Sequence, residues 1–411
     1  MRVAVTILLI AFCLFLIQAS ARFGFSRMLA RYALIENSIP AADQAVQLTP
    51  SDADVHRSRA TILNRLQKTA ETAQSLETAV TLRYRDDILW IELSNTREEL
   101  GDTAGALAAL DQAVRWAPHY AHTHWQRGNL LLRTRRSADA FNELRLAANA
   151  NPAYTPSLID LAWGISGEDI KTTESILEIK DDTTRLALIR YLARNGKGRE
   201  VVDQIAKQTA PPSAELQNEL ARLLLAAKAY REAFDLWRAL NHNTQLPING
   251  GFEEPFTTND AGFGWIIAAD QKNRAAIDVA EKFGGAKSLQ INLDGGWTPG
   301  TPLLSQTIVV APSKTYRLSF AVRTKDLVTG GPPVILVIDA GNNQILGRSE
   351  NLPTATTPWR TLNLNFNTPA TSQAVIIRLQ RNNCDSSPCP IFGTLWLDEF
   401  HIEQTEPASP R

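Results

Sequence analysis

Three histidines within six residues, His119, His122 and His124, form the densest group of metal-type ligands in the chain. Zinc needs three or four converging donors, and no Cys or Glu stands at ligand spacing beside them. His119 follows Pro118 at an element end, while His122 and His124 point to different sides of a helix start, so the group reads as structural. Asp52-Ala-Asp54 is an acid pair, yet it opens a helix, where aspartate caps free N–H groups and meets the positive end of the dipole. Ser166 lies in Gly164-Ile-Ser-Gly-Glu168, which lacks the second glycine of a nucleophile elbow. Gly196-Lys-Gly198 reads as a turn between helices. Neither His-Glu-x-x-His nor Cys-x-x-Cys occurs. Pairs such as Glu98-Glu99 are solvated helix surface. Nothing nominates a catalytic residue, so the chain reads as no enzyme.

The frame around these residues is ordinary globular composition. The 411 residues carry 42 basic and 43 acidic side chains, with 44% hydrophobic and 21% charged residues. Divided at residue 245, the halves hold 29 basic and 28 acidic, then 13 and 15, so neither half offers a footprint for nucleic acid. Val3–Ala19 has no charge, which marks residues 1–21 as a signal peptide or signal anchor. Ala19-Ser20-Ala21 fits cleavage, whereas Arg27, Arg31 and an apolar helical pattern follow without a linker, as in an anchor. Arg2 on one side and Arg22, Arg27 and Arg31 on the other leave orientation open.

Residues 20 to about 165 repeat. Ala45, Ala79, Ala113 and Ala147 recur every 34 residues; so do Leu76, Leu110 and Leu144, and Ala60, Ser94, Gly128 and Ala162. Pro118 and Pro152 share the spacing, as do Thr72, Ala106 and Ala140. Small residues let helix axes approach, and proline ends the second helix of each pair. This pattern resembles the tetratricopeptide repeat, most clearly over 53–154. The predicted helical domain spans 22–241, its register decaying past 165 while helical periodicity continues, with Ser213 as an N-cap. The resemblance implies a groove for a protein or peptide partner, lined by Arg57, Thr61, Asn64, Arg65, Asn95, His122, Trp125, Asn129 and Arg133. Asn95 and Asn129, one period apart, would stack as a polar ladder. Ile91 stands where chaperone-binding members carry lysine, which argues against that class of partner.

After a linker at 242–248, strands replace helices. Tyr316, Leu318, Phe320 and Val322 alternate with polar residues, as do Leu362, Leu364 and Phe366, and Val375, Ile377 and Leu379. Nine or ten short strands punctuated by Gly, Pro and Asn predict an antiparallel β-sandwich over 249–403, with a frayed tail at 404–411. The fold class is therefore multidomain α plus β: membrane segment, α-solenoid, β-sandwich jelly roll. The opening Asn249-Gly-Gly-Phe-Glu-Glu254 and the closing Gly393-Thr-Leu-Trp-Leu-Asp-Glu-Phe-His-Ile402 resemble the galactose-binding-like jelly rolls, specifically carbohydrate-binding modules of the family 4/9/22 type.

That resemblance implies two further sites. A structural calcium would sit near the joined ends of the sandwich on Glu253 and Asp398, with carbonyls near Lys287 completing the shell; edge-strand surface acids are the alternative. Sugars stack their CH faces on aromatic rings held beside polar groups. Trp297, in the loop Asp294-Gly-Gly-Trp-Thr-Pro-Gly, is the expected platform, with Asp294 and Asn292 as hydrogen-bonding groups and Trp265 as a second ring. Trp359 and Trp396 sit in strand patterns and read as packed core.

With Cys13 in the membrane segment, Cys384 and Cys389 are the pair left for a disulfide in an exported chain. The combined reading is a non-catalytic, membrane-anchored scaffold of the bacterial cell envelope, facing the periplasm or the outside. Its groove would hold protein partners and its sandwich a glycan or polysaccharide-assembly machinery. Secretion after signal cleavage is the alternative location. An adaptor whose sandwich binds no sugar, and a glycan-processing enzyme, are the rival functions.

Overall fold

The structure is a computed structural model that describes residues 2–240, 245–256, 261–385 and 387–405. Part of the expected linker (242–244) and part of the expected tail (406–411) lie outside the described residues. The chain divides into two compact units, 1–179 and 180–411.

The first unit is helical: α1 (Arg2–Glu36), α2 (Ile39–Leu48), α3 (Ala53–Arg65), α4 (Thr69–Leu82), α5 (Asp87–Glu99), α6 (Thr103–Trp116), α7 (Ala121–Arg133), α8 (Ser137–Ala150), α9 (Thr155–Ile165) and α10 (Ile170–Leu177). Aspartates 52, 86, 102 and 169 cap α3, α5, α6 and α10, each accepting a first-turn N–H. Helices pair antiparallel across the small residues that carry the 34-residue period, and Ala45, Ala79, Ala113 and Ala147 are all fully buried. Gly128 is where this spacing is tightest, because a Cβ there would lie 2.6 Å from Leu144 Cγ and 3.1 Å from the Ala140 carbonyl oxygen. The apolar stretch of α1 from Thr6 onward is long and apolar enough to cross a membrane. The same helix continues without a break to Glu36, where Ser26, Ala30 and Ala33 bury against α2 and α3.

The second unit opens with two helical hairpins, α11 (Asp182–Arg194) with α12 (Gly198–Ile205), then α13 (Ala214–Ala226) with α14 (Tyr230–Arg238). Ser213 caps α13 through Leu216 N–H, as expected. Among the described residues ten strands follow: β1 (Ile266–Ile267), β2 (Ala275–Asp278), β3 (Ser288–Asp294), β4 (Pro302–Val309), β5 (Thr315–Thr329), β6 (Pro333–Asp339), β7 (Ile345–Arg348), β8 (Ala355–Asn367), β9 (Ala374–Arg381) and β10 (Ile391–Thr405). They form two antiparallel five-stranded sheets, in the orders β1-β4-β9-β6-β7 and β2-β3-β10-β5-β8. The strand residues expected to point inward do so: Leu318, Phe320, Val322, Leu364, Phe366, Ile377 and Leu379 all belong to one core between the sheets.

Candidate functional site

In the first unit, one position of each repeat closes the preceding repeat. His56, Trp90 and His124, 34 residues apart, place a ring nitrogen 2.9, 2.8 and 2.8 Å from the carbonyls of Pro50, Tyr84 and Pro118. His124 also meets Glu143 at 2.7 Å through Nδ1, so both its nitrogens serve the solenoid. His124 is thus a structural residue of the solenoid. Asp52 of the acid pair caps α3 and binds Arg27 at 2.8 Å.

The expected groove residues fall into separate groups. Thr61, Asn64 and Asn95 line a cleft of about 230 Å³ with Glu92 and Glu99. Arg57 on α3 chelates Glu92 on α5, and Arg133 on α7 chelates Glu98 on α5, so these arginines tie successive repeats together. Arg65 donates to the Leu34 carbonyl and to Asn37. On α7, Trp125 stacks on Tyr154 with centroids 4.7 Å apart, and His122 lies 3.5 Å from the Tyr154 hydroxyl. The asparagine ladder is interrupted: Asn129 turns its amide onto the Trp125 carbonyl of its own helix at 2.9 Å.

In the sandwich, the expected platform requires correction. Trp297 is only 1% exposed, inside the core, with its indole N–H on the Thr301 carbonyl at 3.1 Å. Its loop folds back because the buried guanidinium of Arg381 holds the Trp297 carbonyl at 2.7 Å. Trp265 is also core, packed on Phe252 and Phe400 with centroids 5.4 and 4.9 Å away. Enclosed rings offer no face to a sugar. Asp294 is exposed and paired with Arg274 at 2.8 Å; its carboxyl lies below the usual value, chiefly through the Gly296 N–H. Asn292 lies exposed on the outer face of the second sheet, accepting from Thr394 at 3.2 Å.

The carboxylates expected to bind calcium accept backbone N–H groups. Asp398, fully buried, accepts from Phe283 N–H (2.9 Å) and Gly284 N–H (3.0 Å) on one oxygen and from Glu399 N–H (2.8 Å) on the other. Burial pushes its carboxyl above the ordinary value, against the pull of these N–H groups. Glu253 accepts from Ala286 N–H (2.7 Å) and Lys287 N–H (3.1 Å), and its carbonyl takes the Lys287 ammonium. Among the described residues no three His, Cys, Asp or Glu gather as a metal set. The donor chemistry present is that of a loop anchor.

The two sheets differ in what their outer faces offer. On the first, Val334, Leu336, Ile338, Ala374 and Ile376 are apolar, and α13 and α14 supply cover: Tyr230 packs on Ala340 and Ala374 and donates to the Ala340 carbonyl at 2.7 Å. On the second, register pairs Trp396 with Gln290 on one side and Arg323 on the other. Trp396 and Trp359, expected in the core, therefore belong to this outer face. Trp396 is covered by Arg323 (5.7 Å to the ring centroid) and donates to Asp278 at 2.8 Å. Arg323 also meets Glu281 at 3.2 Å. Trp359, half-buried, faces Phe283 with centroids 5.8 Å apart, and Phe283 is 50% exposed. Neither residue carried a signal in the sequence: Trp396 stands between the equally apolar Leu395 and Leu397, and Phe283 lies in a loop.

Residues 244–386 match a family model described as a carbohydrate binding domain, CBM_4_9. Among solved structures, a CBM4 module is 16% identical over 39% of this chain and 99% of its own, with a TM-score of 0.29. TmCBM61, solved with beta-1,4-galactotriose, is 18% identical over 40% of this chain and 100% of its own, at a TM-score of 0.27. PilF of Pseudomonas aeruginosa is 16% identical over 53% of this chain and 96% of its own, at a TM-score of 0.33. No curated protein matches the chain.

Proposed function

We propose that this chain is a non-catalytic scaffold of the cell envelope, with the repeat unit binding a protein or peptide and the sandwich binding a glycan. The observation that carries the reading is the match of residues 244–386 to a carbohydrate binding domain family, joined to a helical-repeat arm. The cleft bearing Asn64 and Asn95 supports the peptide role, because both side chains offer donors and acceptors to an extended backbone. Anchoring through α1 is supported by its unbroken passage from the apolar stretch into the first repeat. In this role the protein would hold a polysaccharide, or its assembly and export machinery, at the membrane. The direct test is titration of the full-length protein in detergent with a panel of soluble polysaccharides, following tryptophan fluorescence. Saturable binding supports the reading, and a flat response across the panel overturns it. Alkaline phosphatase fused after Arg411 should be active if the bulk of the chain lies outside the cytoplasm.

A second reading is an adaptor whose sandwich binds no sugar. It draws on the first sheet, whose apolar outer face already serves protein packing through Tyr230 and Leu225.

A further inference from the structure

We propose that the glycan site is the outer face of the second sheet, with Phe283 and Trp359 as the stacking platform and the Arg323–Glu281 pair as the hydroxyl-binding group. The assignment rests on the carbohydrate-binding reading above and names its place and ligand class.

Elimination starts the argument. The tryptophans of the two loops that sequence favoured are inside the core, and the first sheet carries helices on its apolar face. The second sheet keeps an open polar face, with Asn292, Lys325, Asn363 and Asn365 exposed. On it the aromatic rings of Phe283 and Trp359 meet at 48°, Phe283 half-exposed beside its half-buried partner. A pyranose presents CH groups that pack on such rings.

The polar groups needed beside a platform are fixed in place. Arg323 is clamped between the Trp396 ring and Glu281, so guanidinium and carboxylate stand as a preformed donor–acceptor pair. Arg323 Nε and the indole N–H of Trp359 are both buried without a partner, two donors in one patch whose hydrogen-bonding is incomplete. Thr394 and Asn292 continue the polar row. The loop presenting Phe283 is itself held by Asp398 and Glu253, each taking two of its N–H groups.

Charge selects the class of glycan. Around the platform Arg323 is paired with Glu281 and Arg360 with Glu350, and Asp278 stands against Lys282 and Lys325, so charges of both signs are mixed and largely paired and an anionic chain brings carboxylates against carboxylates. The ligand is a neutral polysaccharide, and the flat, open sheet face takes it along the chain.

The test uses the full-length protein in detergent micelles, titrated with neutral β-glucans and xylans and with anionic alginate. Phe283→Ala and Arg323→Gln should each weaken neutral-glycan binding about five- to tenfold, the equivalent of one stacking contact or one charged hydrogen bond. Gln373→Ala, exposed in the loop before β9 of the first sheet, should leave it unchanged. Trp359→Phe, which keeps a ring, should retain most of the affinity. Thermal unfolding identical to wild type checks that Phe283→Ala is folded; the half-exposed ring makes that substitution mild. Wild-type binding that survives both Phe283→Ala and Arg323→Gln overturns the site while leaving the carbohydrate reading intact. Tighter binding of alginate than of every neutral chain overturns the ligand class. No binding of any polysaccharide by wild type sinks the carbohydrate reading itself.

Discussion

Asp398, in the last strand, accepts the backbone N–H of Phe283 at 2.9 Å across 115 residues of sequence. The bond ties the loop that carries an exposed aromatic ring to a fully buried carboxylate. Asp398→Ala would strand three N–H donors and should destabilise the sandwich by about 3 kcal/mol in urea unfolding. Asp398→Asn keeps one acceptor oxygen and should cost less. Because burial raises the carboxyl above its ordinary value of 3.8, the folded state holds the proton to higher pH than the unfolded chain. Stability from this group is thus fully present below 3.8 and lost as pH rises through the raised value. Wild type should gain on Asp398→Asn as pH is lowered; a constant gap would refute the sign.

Arg381 is the hub of the opposite loops. Its buried guanidinium donates to the carbonyls of Trp297 (2.7 Å), Cys389 (3.0 Å) and Gly331 (3.3 Å), and to Thr329 Oγ1 (2.9 Å). Arg381→Lys loses the planar fork, and Arg381→Met leaves the carbonyls unpaired. We expect losses of about 3–5 kcal/mol for Arg381→Met. Tryptophan emission should shift to longer wavelength as Trp297 becomes hydrated.

The Cys384–Cys389 disulfide closes a short loop beside Arg381, whose Nη2 lies 3.0 Å from Cys389 Sγ. Thiol labelling of the native protein should modify only Cys13. Reduction should lower stability by about 2 kcal/mol at most, because so short a loop restricts the unfolded chain little.

At the other end of the chain, Arg27 on α1 holds Asp52 at 2.8 Å. That hydrogen bond keeps the Asp52 carboxyl below its ordinary value of 3.8. The sign is opposite to that of Asp398: the contribution is present above 3.8 and lost as pH falls through the lowered value. Arg27→Ala should cost about 1 kcal/mol near neutrality, read from helical circular dichroism, since the arginine is half-exposed. The difference from wild type should vanish in strong acid. A difference that grows there would count against the pairing.

How much was legible follows from the kind of pattern involved. The 34-residue period, the cap aspartates and the inward strand residues are local or periodic, so they could be read from residue order alone. Small residues must recur wherever helices cross, and apolar residues must alternate wherever one sheet face is buried. The groove was legible in part: Asn64 and Asn95 do share a cleft, while Asn129 is diverted to its own helix, a rotamer choice that spacing does not encode.

The sandwich site was decided in three dimensions. Trp297 looked solvent-facing among Asp, Gly and Pro, but Arg381, 84 residues away, draws its loop inward. Leu395-Trp396-Leu397 is apolar throughout, so only pairing with β3 and β5 decides that the two leucines enter the core and the tryptophan faces out. Glu253 and Asp398 were placed correctly near one another by the order of the strands, yet their role depends on which N–H groups the intervening loop brings to them. Residue order thus determined the repeats, the strands and the class of domain, because those rest on near neighbours. Which aromatic ring meets solvent rests on contacts between residues about a hundred positions apart, and tertiary packing alone selects among those.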